Sequence, residues 1–274
     1  VPDVATLRTT ARFLREDGLS EFGFALDKEF YSRANLRDLA GAELDFVVGV
    51  PLHVKWAQAM LRRKRTALES LKRMFSFGDR ELHHVAEKVE IACDGETVRA
   101  MAHLYFDPLR RQDMLAGLKR RVMALVEKSG RERFRNRREA VEWLAENSAG
   151  LERCFAVRTL PGSAHIVHRP GAMARAGAAM GYSLLLASDA DRDRDGVLSD
   201  YRSRDAVEKL FDMLKNHRDG NRLRTGEEDA VQGRLAVGFV GLILRQVLEN
   251  ALKEHGLWRR LGVPEALDEL DKAR

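Results

Sequence analysis

With 274 residues the chain is long enough to bury a sizeable core, as one large or two modest domains. Its 47 Lys and Arg against 42 Asp and Glu leave a net charge of +5, too mild by itself to identify a nucleic-acid binder. Two cysteines, Cys93 and Cys154, without CxxC or CxxH spacing give no support for a disulfide framework or a zinc site. The chain has no run of 18 apolar residues and no signal-peptide pattern, so the expectation is a cytoplasmic protein without a membrane partner.

Residues 1–19 carry Val4, Leu7, Ala11 and Leu14 at helical spacing, with Asp3 as a candidate cap. A short apolar strand over 22–26 then ends in Asp27. Ser32 is the expected N-cap of a helix that leads to a second apolar strand over 46–50. Beyond Pro51 a basic, helical stretch contains Arg62, Arg63, Lys64 and Arg65. Asp94 and Gly95, flanked by strand-like runs over 85–93 and 96–106, form a strong hairpin signal. After Pro108 a helix is expected to about residue 128, with Leu115, Leu118, Val122 and Leu125 on one face.

Residues 110–138 hold eleven Lys or Arg against three Asp or Glu. Such a stripe gives salt-dependent phosphate affinity, although a solvated helix face reads the same way. Short strands are expected over 154–159 and 182–187. A helix follows from about 201, which Gly220 can end. Thr225 and Glu228 form a capping box for the next helix, whose apolar run over 235–248 reads as buried and continues to about His255. Residues 257–274 read as an amphipathic tail.

The helix from Tyr201 carries the most informative pattern. At about 100° per residue, Tyr201, Arg204, Glu208 and Lys215 fall at roughly 0°, 300°, 340° and 320°, one narrow polar stripe beside Val207, Leu210, Phe211 and Leu214. A carboxylate flanked by two cations and a phenol suits a metal ion with a phosphate chain beside it.

The gaps of two, three and six residues in this stripe reproduce the Tyr-Arg-Glu-Lys signature of insertion-sequence transposases of the cut-and-paste, DDE type, which the chain resembles. Residues 22–50 are similar to the segment around the second catalytic aspartate of that family, with Asp27 at the strand end, Phe30 as the following aromatic and Ser32 as the cap. Glu29 departs from the pattern, where Gly is usual.

The resemblance implies an α/β, RNase H-like catalytic domain interrupted by a mixed, β-containing insertion domain. Residues 1–51 would be the first part of the core, 52–190 the insertion, 191–256 the second part with the catalytic helix, and 257–274 a C-terminal tail. It implies that Asp27 and Glu208 are catalytic, metal-binding carboxylates for a pair of Mg²⁺ (or Mn²⁺) ions about 3.5 to 4 Å apart. Tyr201, Arg204 and Lys215 would grip the phosphates of double-stranded DNA at transposon ends, in a homodimer on DNA within a bacterial, nucleoid-associated cytoplasm. The family's first aspartate lies on a strand that would precede residue 1, so residues 1–274 are expected to carry an incomplete active site. Trp56 and Trp143 are candidates for the aromatic that receives a flipped base in such insertions.

Two rival readings stand beside this one. The first is an inactive, transposase-derived DNA-binding protein. The second is a calcium-binding interaction protein built on Asp189, Asp191, Asp193, Asp195 and Gly196, which match the start of an EF-hand loop. Counted from Asp191, however, position 12 is Arg202 rather than Glu. His165 and His168 read as a surface loop, and the adjacent His83 and His84 would diverge on a helix.

Overall fold

Residues 46–50 and 184–187 are apolar or glycine at every position, the pattern of strands covered on both faces. The computed structural model, which describes residues 3–19, 22–204, 240–257 (without 242, 246 and 253) and 262–272, puts both runs at the middle of one sheet. The strands are β1 (Gly23–Leu26), β2 (Asp45–Val50), β3 (Met74–Phe77), β4 (Arg80–Cys93), β5 (Glu96–Phe106), β6 (Phe155–Leu160), β7 (Ser163–His168) and β8 (Tyr182–Ala187). Six of them form a mixed sheet in the order β1-β2-β8-β5-β4-β3, and β6 and β7 form a separate hairpin. β1 and β2 are parallel, and every other pairing is antiparallel. With its helices the fold is α/β.

Local chemistry explains the element ends. The Ser32 side chain accepts a hydrogen bond from the Asn35 N–H at 3.1 Å and opens α2 (Arg33–Gly41). Asp94 and Gly95 take φ of 48° and 95°, the left-handed pair that a two-residue hairpin turn requires, so Cys93 faces Glu96 and the ladder continues to His83 opposite Phe106. Asp107 accepts from Arg110 N–H at 2.8 Å and opens α4 (Pro108–Gly130), whose buried Leu118, Val122 and Leu125 keep the helical spacing.

One sheet face packs on α1 (Asp3–Glu16), α2 and α3 (Lys55–Leu68) through a core that includes Leu36, Phe46, Val48, Met60, Leu104 and Leu186. On the other face Val47, Tyr105, Leu185 and Ala187 meet Val197 and Leu198 of α7, a helix described over 194–204 that follows α6 (Pro170–Gly177) in the chain. β2 ends at Val50 and its sheet neighbour β8 begins at Tyr182, so the chain between them leaves and rejoins this sheet. The intervening chain also builds a smaller core in which α4 and α5 (Arg137–Asn147) pack with β6 around Leu118, Val122, Leu144 and Phe155. By compactness the chain divides into residues 1–201 and 202–274.

Several expectations need correction. His83 and His84 lie on β4, not on a helix, because the hairpin extends well past its apolar centre. His165 and His168 lie on β7 rather than in a loop, paired with Arg158 and Phe155. Residues 240–252 are helical where described, yet Val240, Ile243, Leu244 and Val247 are exposed, so the burial expected for this helix fails for them. Apolar spacing shows that a helix has a face to cover; it does not say that the same chain covers it. In this unit Leu252, Val263 and Ala266 pack together, the last two on the terminal helix Val263–Lys272. Gly220, Thr225 and Glu228 lie outside the described residues. Among the described residues no helix is long and apolar enough to cross a membrane.

β8 joins the parallel pair to the antiparallel meander, and Leu186 on it is fully buried. Leu186→Ala is expected to lower stability by about 3 kcal/mol, measured as a reduced urea midpoint with an unchanged slope.

Candidate functional site

Asp27 follows the last residue of β1 and caps the short turn Lys28–Phe30 in extended backbone (φ −66°, ψ 161°). Leu26 points into the α2 side of the sheet, so strand alternation turns Asp27 toward the α7 side. On that side Gly49, one residue past the last β1–β2 pair of Leu26 and Val48, lies opposite Leu185, which lies opposite His103.

α7 begins where the aspartate-rich tract ends. The Asp189 carboxylate accepts from Asp191 N–H at 2.8 Å, and Asp193 accepts from Gly196 N–H at 2.7 Å. Residues 194–196 are already helical, so Asp193 serves as a helix cap, and the extended ligand loop that a calcium site needs is not formed there. The Tyr105 hydroxyl donates to the Arg194 carbonyl at 2.8 Å, and the Arg194 guanidinium lies 4.3 Å from the centre of the Phe75 ring. These contacts tie the start of α7 to β3 and β5. Two turns later Tyr201 reaches the opposite end of the sheet.

Its landing point is Gly49. A β-carbon at that position would come within 2.7 Å of the Tyr201 hydroxyl and 3.0 Å of the Lys28 backbone nitrogen. The absence of a side chain on β2 is therefore what lets the phenol lie against the strand end beside Asp27. Of the expected site residues, Asp27 and Tyr201 are brought to the same end of the sheet. Arg204 is half-buried, one helical turn beyond Tyr201. Glu208 and Lys215 lie outside the described residues. Among the described residues no three His, Cys, Asp or Glu side chains gather closely enough to hold a metal ion.

The basic stretches differ in availability. Arg63 and Lys64 both pair with Glu87, and Arg65 pairs with Glu69, so most of the 62–65 cluster is engaged within the chain. On α4, α5 and the turn between them, Lys119, Arg120, Arg133, Arg135 and Arg137 are exposed and make no salt bridge among the described residues. Trp56 donates to the Tyr31 hydroxyl at 2.8 Å and packs on the main core, while Trp143 lies edge-on to Phe134. Both have structural roles.

Sequence reasoning missed a histidine pair on the α7 side. The rings of His84 and His103 touch through Nε2 and Nδ1 at 3.1 Å, with Tyr105 tilted against His84. Burial pushes His84 down to about 3, helped by His103, Arg194 and Arg73, and burial likewise pushes His103 down to about 4. Strand spacing puts His103 roughly 14 Å from Asp27, too far for the two to share an ion. The signal was present, since a two-residue turn at 94–95 sets His84 opposite Tyr105 and diagonal to His103.

No family model, no curated protein and no solved structure matches the chain.

Gly49→Ala is expected to force the Tyr201 ring off the strand end at a cost of about 1–3 kcal/mol; a crystal structure or ring NMR shifts of Tyr201 identical to the parent would contradict the close approach. The histidine pair gives a pH dependence. Both groups titrate below their ordinary 6.5 in the folded chain, so their contribution is complete above pH 6.5 and declines as the pH falls toward 4, where the unfolded chain takes up protons that the sheet resists. Melting temperature should fall across that window, and His84→Gln should flatten the fall between pH 6.5 and 5.

Proposed function

We propose that the chain is the catalytic part of a DDE transposase with an RNase H-like fold, which cuts and rejoins double-stranded DNA at transposon ends. The observation that carries this reading is the packing of Tyr201 over Gly49, beside Asp27. Asp27 from one matched segment and Tyr201 from the other lie at one end of one sheet, which supports the reading. The parallel β1–β2 pair, with α2 between its strands, is in keeping with such a core.

In this reading Asp27 and Glu208 hold the metal, Mg²⁺ or Mn²⁺, which when bound supplies charge stabilisation at the attacking and leaving oxygens. Tyr201, Arg204 and Lys215 hold DNA phosphates, the arginine through two parallel hydrogen bonds and the lysine as a point charge. The uncompensated cations of α4 and α5 add sequence-independent affinity that weakens with salt. Paired-end chemistry calls for two copies on DNA, and a nucleoid-associated cytoplasmic setting follows from that substrate.

The test uses protein expressed from its complete reading frame and a supercoiled plasmid carrying the DNA that flanks that frame. Nicking is expected with Mg²⁺ and not with EDTA, and Asp27→Asn or Glu208→Gln should slow it at least a hundredfold, of the order seen when a group essential to the chemistry is removed. Nicking at the parental rate in either variant, or DNA binding without nicking in Mg²⁺ and Mn²⁺, overturns the reading.

A further inference from the structure

On the opposite side of the sheet, α1 and α2 enclose a cleft of about 360 Å³ that the reading above does not use. Its walls are apolar, formed by Leu7, Ala11, Leu39 and Leu44. Its polar groups on α2 are Asn35 and Asp38, three residues apart and hence neighbours on one face of that helix, while Glu16 lines it from α1. Asn35 is 4% exposed, and its Nδ2 already donates to the Phe30 carbonyl at 2.6 Å, which fixes the amide and leaves Oδ1 without a protein donor. Asp38 accepts from Arg8 at 2.6 Å on Oδ1, while Oδ2 has none. Two buried acceptors without donors are costly, of the order of 1–3 kcal/mol each, and ask for a partner rich in N–H groups.

The rim has the opposite character. Arg8, Arg12 and Arg15 follow one another along α1 at the cleft, all exposed. Arg12 makes a long 3.7 Å contact with Glu16, which is exposed on the same rim, and stands 5.8 Å from the centre of the Phe13 ring, while Arg15 donates to the Ala42 carbonyl. With Arg8 paired to Asp38, Arg12 and Arg15 outweigh Glu16, so the rim keeps a net positive charge. A flat, neutral group with several donors on one edge and an anionic tail satisfies floor, walls and rim together.

Among the common bases, guanine alone presents such an edge: N1–H and both hydrogens of its exocyclic amine, three donors for the two Asp38 oxygens and Asn35 Oδ1. Adenine and cytosine set a donor beside an acceptor. We propose that this cleft binds a guanine nucleotide, with the base between Leu7, Ala11, Leu39 and Leu44, its donor edge on Asp38 and Asn35, and its phosphate on Arg12 and Arg15. Both orphan oxygens are screened from water, so binding requires the Asn35 and Asp38 side chains to turn into the cleft and Arg8 to release Asp38 Oδ1. Arg8 is 63% exposed at its side chain and would exchange its contact with Asp38 for one with the phosphate. The volume lies within the range of pockets that take small ligands. The inference does not depend on the transposase reading.

Calorimetric titration of the full chain with GMP, IMP, AMP and agmatine tests it. GMP should bind at sub-millimolar concentration, IMP at least tenfold more weakly because it lacks the amine, and AMP and agmatine not measurably at the same concentrations. Ala11→Phe, which fills the cleft, should abolish GMP binding. Asp38→Asn, which keeps the shape and removes the charged acceptor, should weaken it at least tenfold even if Ala11→Phe fails to fold. Equal affinity for GMP, IMP and AMP, as general attraction to a basic surface would give, overturns the proposal. So does the absence of heat with GMP, the result expected if water alone satisfies the two oxygens, and so does parental GMP affinity in Asp38→Asn.

Discussion

The hydrogen-bonded position of β8, between β2 and β5, is the constraint on which the larger unit depends. β2 pairs with it through Val47 to Val50, and β5 through Met101 to Phe106, so one six-residue strand makes a parallel pair and an antiparallel meander into a single sheet. Leu184, Leu185 and Leu186 are each at most 2% exposed because helices cover both faces at this point. Burial on both sides explains why the strand carries no alternation of polar residues. It also sets the reach of everything docked on the sheet, since a helix crossing this strand can touch residues that belong to distant parts of the chain.

α7 is that helix. Its start is held at β3 and β5 by the Tyr105–Arg194 hydrogen bond and the Phe75–Arg194 contact, and its middle is held by Val197 and Leu198. Tyr201 follows at the β1–β2 end because helical rise and strand spacing together carry it across the sheet. The candidate site thus depends on packing far from it: the phenol is aimed by contacts at the other end of the helix and admitted by a missing β-carbon on β2. The histidine pair lies under the first part of the same helix and stays neutral because sheet and helix exclude water from it.

Much of this was legible in the chain itself. Ser32 announced its helix because a hydroxyl before an open helical turn has a nearby N–H to accept from. Asp94 and Gly95 announced their hairpin because few residues adopt left-handed backbone in succession, and the strand over 182–187 was read to the residue. Where reading failed, the cause was non-local. The adjacency of His83 and His84 suggests divergence on a helix, whereas the turn ten residues on sets them on neighbouring positions of a strand. Apolar content over 235–248 suggested burial, yet Val240, Ile243, Leu244 and Val247 are exposed.

By itself the sequence determined the elements that short-range chemistry governs: caps, turns, strand alternation, the helical stripe that begins at Tyr201, and the balance of charge. Only the tertiary structure decided which of these meet. That Tyr201 lies over Gly49 beside Asp27, that His84 touches His103, and that Asn35 and Asp38 face a cleft walled by α1 all follow from strand order and helix docking. Those are set by the summed burial of many apolar side chains, a property of the whole chain that no local pattern encodes.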